Sequence, residues 1–235
     1  MKYLIDNFGD IMALTRTHVK LALIPLLIGL VIAIPVGALI RRVPWLRKTT
    51  TAISSLAYTI PSLALFVIIP PLVGISTIDP LNVIIALAIY STALLLIAVP
   101  AALDSVPASV LDAADAVGFG PLRRTLTVDM PLAIPVFLSS LRVIAVTNIA
   151  MVSVGALIGS GGLGVLFTQG YQRDYTDEIV AGIIVTLALA LLVDRVLYAL
   201  GRWGTPWARE VRPGGSRVQR SRRMDSAPTA KGARA

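Results

Sequence analysis

The chain has 235 residues and a mean hydropathy of +0.81; 56% are hydrophobic and only 14% charged, against roughly 25% charged in a typical soluble domain. That balance excludes intrinsic disorder and argues against a soluble enzyme, because a wetted surface cannot hide so much apolar side chain; the solvent must be partly lipid. The 21 Lys+Arg against 13 Asp+Glu give a net charge of +8, and with no cysteine and a single histidine, disulfides, thiolate chemistry and a histidine metal centre fall away.

The N-terminus shows no cleavable signal pattern. Residues 3–17 are too polar to cross a bilayer and read as a short amphipathic helix lying along its surface, so 1–18 forms an N-terminal interfacial segment. Apolar stretches follow at 19–40, 52–73, 81–103, 131–153 and 179–200, each long enough for a helix to span the hydrocarbon layer. The expected fold is an all-α transmembrane bundle of five spans, with 19–200 as its membrane domain. His18 opens the first span and reads as an interface residue. Pro25, Pro35, Pro61, Pro70, Pro100 and Pro135 fall inside the spans, where neighbouring helices must satisfy the carbonyls they free.

Between the third and fourth spans lies a longer connector, 104–130. Asp104 or Ser105 can cap a helix with Pro107 in its first turn. Val110, Leu111, Ala114 and Val117 then recur at helical spacing as one apolar face, with Asp112 and Asp115 off it. Gly118 and Gly120 stop this helix, and Pro121 starts a second short one carrying Arg123 and Arg124. Such a helix either folds back on the bundle or docks into the groove of a partner.

Arg142 lies within the fourth span and is expected to pair with a polar group on another helix. The run 159–164 formally matches G-x-G-x-x-G but lacks the strand and βαβ context of a nucleotide site. Gly159, Gly161, Gly162 and Gly164 are instead candidates for a tight turn or an outer gate. Asp194 and Arg195 read as interfacial, near the inner end of the fifth span. The tail 201–235 is basic and of disordered composition, suited to anionic lipid rather than nucleic acid.

Arg41, Arg42, Arg47, Lys48, Arg123, Arg124 and the basic tail fall on one side of this topology; Lys2, Arg16, Lys20 and Arg173 fall on the other. The positive-inside rule makes loops 41–48 and 104–130 and the C-terminus cytoplasmic, and an odd number of spans puts the N-terminus outside.

Asp112-Ala113-Ala114, then Gly118, then Pro131 closely resembles the Glu-Ala-Ala loop of ABC-importer permeases, with Asp112 for the glutamate and Met130 for the leucine before the proline. Asp115 stands where that family often shows a basic residue. The resemblance extends over most of 15–200. It is strongest to the osmoprotectant branch, in the first span with His18 and the Ile-Pro-Val-Gly at 34–37, in 58–75, and in 155–164. It implies a methionine-importer-like fold in the cell membrane of a prokaryote. It further implies a second permease subunit, two ABC ATPase subunits on the inner face, and an extracytoplasmic binding protein delivering glycine betaine, choline, carnitine or a related solute. Asp112, Ala113, Ala114, Gly118 and Pro131 are then the ATPase-coupling residues. The chain has no G-x-x-x-x-G-K-[ST] loop, so it is expected to carry no cofactor and to be no enzyme, with ATP bound and hydrolysed by the partner. The alternatives are a permease of the same kind for another small solute such as an amino acid, or a stand-alone secondary transporter.

Overall fold

The computed structural model describes residues 2–209. A short helix α1 (Lys2–Asp6) is followed by α2 (Phe8–Ile40), α3 (Pro44–Thr59), α4 (Ser62–Val73) and α5 (Pro80–Asp104). The long connector holds α6 (Ala108–Ala116) and α7 (Pro121–Arg124), and a π-turn (Thr125–Asp129) joins α7 to α8 (Met130–Gly155). After a 3-10 turn (Ala156–Ile158) come α9 (Gly164–Gln172), α10 (Thr176–Gly204) and a final 3-10 turn (Pro206–Arg209). Helices α2, α5, the continuous run Pro121–Ile158 and α10 are long and apolar enough to cross a membrane, and α3 with α4 form a further pair bent by 98°.

The first span starts earlier than its apolar residues suggest, because residues 8–17 continue the helix rather than lie apart from it. From His18 to Ile40 the helix covers about 33 Å at 1.5 Å per residue, close to the ~30 Å of hydrocarbon. The preceding turns project past that layer, and there Ile11 packs in the same cluster as Leu163 and Leu166.

The break in the second span is written in its prolines. Pro61 forces Ile60 out of the helical region, to φ −63° and ψ 128°. The Ile60 carbonyl accepts a hydrogen bond from the Tyr90 hydroxyl instead, and the Tyr90 ring meets Tyr58 edge-on at 5.8 Å. Further along, Pro70 has no N–H to give to Phe66 O four residues back. Asn82 Nδ2 on α5 donates to that oxygen at 2.8 Å.

The same economy ties the centre together. Asn148 Nδ2 on α8 donates to Ala22 O on α2 and to Ser91 Oγ on α5, at 3.1 and 2.8 Å. Helices α2 and α5 pack closely, and a Cβ on Gly37 would lie 2.7 Å from the Val99 side chain. The arginine within the fourth span is paired as expected. Arg142 forms a two-pronged ion pair with Asp194 of α10, at 2.7 and 2.8 Å, and lies over the Tyr198 ring. Asp194 is thus a contact within the bundle.

These contacts define two poles. The ends of α2 and α5 meet the start of α8 at one of them, around Arg41, Asp104 and Asp129. The start of α5 meets the end of α8 at the other, where a Cβ on Gly155 would lie 3.0 Å from Val83. The chain leaves α2 at the first pole and enters α5 at the second, so α3 and α4 together carry it across: they are one broken span.

Replacing Asn82 by Leu should remove its hydrogen bonds to Phe66 O and Thr77 O and cost about 1–2 kcal/mol, on the scale of about 1 kcal/mol for each hydrogen bond in a membrane bundle. The same substitution in a Pro70→Ala background, where the backbone N–H returns, should cost less. Unfolding by SDS titration in mixed micelles measures both.

Candidate coupling site

The connector between α5 and α8 folds back onto the bundle through apolar residues and is locked by charges. Val106 is buried with Val99, Ala102, Leu103 and Ala133, and Val110 and Leu111 pack against that group. Helix α6 has no side-chain cap: Pro107 occupies the capping position, and the Ser105 hydroxyl donates to Ala102 O. Asp104, expected as a cap, is held by arginines instead. Ala114 is buried, but Val117 is 78% exposed, so the apolar face ends one turn earlier than its spacing implies.

The reason lies in how the helix stops. Gly118 takes φ +87°, a conformation costly for any residue with a Cβ. Its N–H donates to Asp115 O at 3.0 Å, and that of Phe119 donates to Ala114 O at 3.1 Å. This double closure is a Schellman cap; it turns the chain under the helix and leaves Val117 outside. Gly120 is extended, at φ −64°, and precedes α7 rather than closing α6. Arg124 pairs with Asp115 across the turn, and the Arg123 guanidinium lies 4.7 Å over the Phe119 ring.

The second short helix is not separate from the fourth span. It runs through the π-turn, where the Met130 N–H donates five residues back to Thr125 O. Pro131, in the first turn of α8, has no N–H to continue an ordinary α ladder, and the widened turn sits just before it.

Asp129, in that turn, is 1% exposed. Arg41, just past the end of α2, donates from Nη1 to Asp129 Oδ2 at 2.7 Å and from Nε to Asp104 Oδ1 at 2.9 Å. One guanidinium therefore bridges both ends of the connector. Arg47 adds a second contact to Asp104, at 2.6 Å. Arg42 Nη2 donates to Pro121 O and Thr125 Oγ1, at 2.8 and 2.6 Å. The sequence marks these arginines only as topological charges. Their signal as partners is the pair of aspartates that bounds the loop, Asp104 and Asp129.

Of the residues singled out by sequence, Asp112, Ala113, Ala114 and Gly118 lie together on α6 and its cap. Asp112 and Ala113 are exposed and Ala114 faces inward. Pro131 stands apart, beyond the π-turn. The glycine run lies at the opposite end of α8. Gly159, Gly161 and Gly162 have φ of +85°, +87° and +77°. Gly164 starts α9, so close to Ser153 O that a Cβ would sit 2.4 Å from it. His18, expected at the start of the first span, is fully buried against this run.

The profile described as "Binding-protein-dependent transport system inner membrane component" matches residues 5–204. The osmoprotectant import permease protein OsmW of Salmonella typhimurium is 32% identical over 200 residues, 84% of this chain and 93% of that one. The choline transport system permease protein OpuBB of Bacillus subtilis is 28% identical over 206 residues, 88% and 94% of the two chains. In fold, the chain is similar to a solved structure of the MetNI methionine ABC transporter in an inward-facing conformation. The TM-score is 0.74 at 23% identity, covering 83% of this chain and 96% of that one.

Replacing Arg41 by Gln leaves the buried Asp129 carboxylate only its longer contact to Arg124 Nε, at 3.6 Å, and should cost about 3 kcal/mol. Asp129→Asn in the same chain should recover much of that. Asp104→Asn, at a carboxylate 36% exposed, should cost under about 1 kcal/mol. SDS titration of the three variants checks the ranking.

Proposed function

The chain belongs to the binding-protein-dependent transport system inner membrane components, and we propose that it is the permease subunit of an ATP-driven importer for osmoprotectants such as glycine betaine, choline or carnitine. The solute class rests on its similarity to the osmoprotectant and choline permeases. The observation that carries the mechanism is the clasped connector: a helix presented outward, fixed at both ends to the spans it must move.

In this reading the Arg41 pole is cytoplasmic, the N-terminus is outside and the C-terminus inside a prokaryotic cell membrane. The end-to-end course of α2, the α3–α4 pair, α5, α8 and α10 supports termini at opposite poles. An ABC ATPase subunit docks on α6 through Asp112 and Ala113. Val117, Leu122 and Leu126 are apolar and exposed at the same pole, a patch suited to burial under a protein partner. ATP binding and hydrolysis take place in that partner. A second permease subunit completes the pathway, and an extracytoplasmic binding protein delivers solute to the opposite pole, where the glycine run 159–164 acts as outer gate.

Movement of the ATPase reaches the solute path only if the connector is stiff. The Schellman cap stiffens the far end of α6. The charge clasp turns a displacement of α6 into a displacement of α2, α5 and α8 together.

Reconstitution with the ATPase and binding protein in proteoliposomes should give ATP-dependent uptake of glycine betaine, choline or carnitine. Uptake of an amino acid such as methionine, with none of these, would overturn the solute assignment. Gly118→Val, which places a β-branched residue at φ +87°, should lower uptake at least about tenfold, a 1.4 kcal/mol effect, while ATP hydrolysis persists and the protein stays in the membrane. Unchanged uptake counts against coupling through α6.

A further inference from the structure

His18 is a buried polar side chain that the transport reading does not use. It lies in α2, fully enclosed, and its ring reaches two other elements. Nε2 is 2.9 Å from Ile149 O of α8, and the Leu163 N–H donates to Nδ1 at 3.1 Å. A carbonyl accepts only and a backbone N–H donates only, so the ring must carry its proton on Nε2 and leave Nδ1 bare. One neutral imidazole thus serves a donor and an acceptor on opposite edges.

The loop on its Nδ1 side is shaped to meet it. The positive φ of Gly161 and Gly162 lays the backbone flat against the ring, and a Cβ on Gly162 would approach Nδ1 to 3.1 Å. Leu163, buried completely, leads directly into α9. The loop's other anchor is local: the Ser160 hydroxyl donates to Gly155 O at 2.7 Å. Among the described residues, the His18 ring supplies the side-chain hydrogen bond that fixes this loop to a different span.

We propose that His18 is the positioning residue of the glycine run, a neutral imidazole that seats 159–164 on the first and fourth spans and sets the resting position of the outer gate. The gating half of this statement rests on the outer-gate reading above; the seating half does not. Seating needs one donor and one acceptor, which a glutamine amide also supplies and a phenyl ring does not. If the ring only filled space, phenylalanine would serve better than glutamine.

The test uses the complete transporter, with ATPase and binding protein, in lipid nanodiscs for hydrogen–deuterium exchange and in proteoliposomes for glycine betaine uptake. In His18→Phe, exchange of the Leu163 amide should quicken about tenfold, the loss of one hydrogen bond, and maximal uptake should fall several-fold. His18→Gln should restore most of both. Gly162→Ala, which pushes a methyl against the ring while keeping the histidine, should quicken the same amide. Equal exchange in wild type and His18→Phe, or a glutamine variant no better than phenylalanine, overturns the proposal. Quickened exchange with unchanged uptake upholds the seating and overturns the gate.

Discussion

The fold depends on one charge arrangement at its basic pole: a single guanidinium, that of Arg41, shared between Asp104 and Asp129. Asp129 is almost fully buried, and an ionised carboxylate can stay there only because cations come with it, Arg41 at 2.7 Å and Arg124 Nε at 3.6 Å. Arg41 reaches it by standing just past the end of α2, where the chain turns into α3. The consequence is mechanical. The last residue of α5 and the last residue before α8 are tied to each other and to a third helix, so the connector they bound cannot move alone.

A second constraint runs through the membrane interior. Prolines remove backbone donors where no water can replace them, and side chains of α5 answer. Asn82 supplies the hydrogen bond Pro70 cannot make, and Tyr90 takes up the carbonyl exposed at the 98° break before Pro61. Asn148 joins three helices from a single amide. In a bundle whose apolar surfaces pack as well on lipid as on each other, these polar contacts decide which helices are neighbours.

Helix α2 links the two poles. It carries Arg41 at the connector and His18 at the glycine run, with about 33 Å of regular helix between them. A helix of that length is a stiff strut. The two loops that the transport reading makes mobile, one at each pole, are thus both hydrogen-bonded to the same rigid element.

Hydropathy, by itself, determined the solvent and the class of fold. Five apolar runs of spanning length leave no choice but a helical membrane bundle, because only segments that satisfy their own backbone can lie in hydrocarbon. Local chemistry also placed α6 and its stop at Gly118, since a glycine after an amphipathic run is what a left-handed cap requires. The alanine pattern and its spacing pointed to the family. The sequence could not show that residues 8–17 continue α2 or that Asp104 leaves the cap to bind arginines. Nor could it show that His18 is buried or by how much the second span bends at Pro61. Two of these turn on a partner far along the chain: Arg41 for Asp104 and Leu163 for His18. Periodicity reports which face of an element is apolar; only the packed structure decides which polar atom meets which, because that depends on how far apart in space two distant residues come to rest.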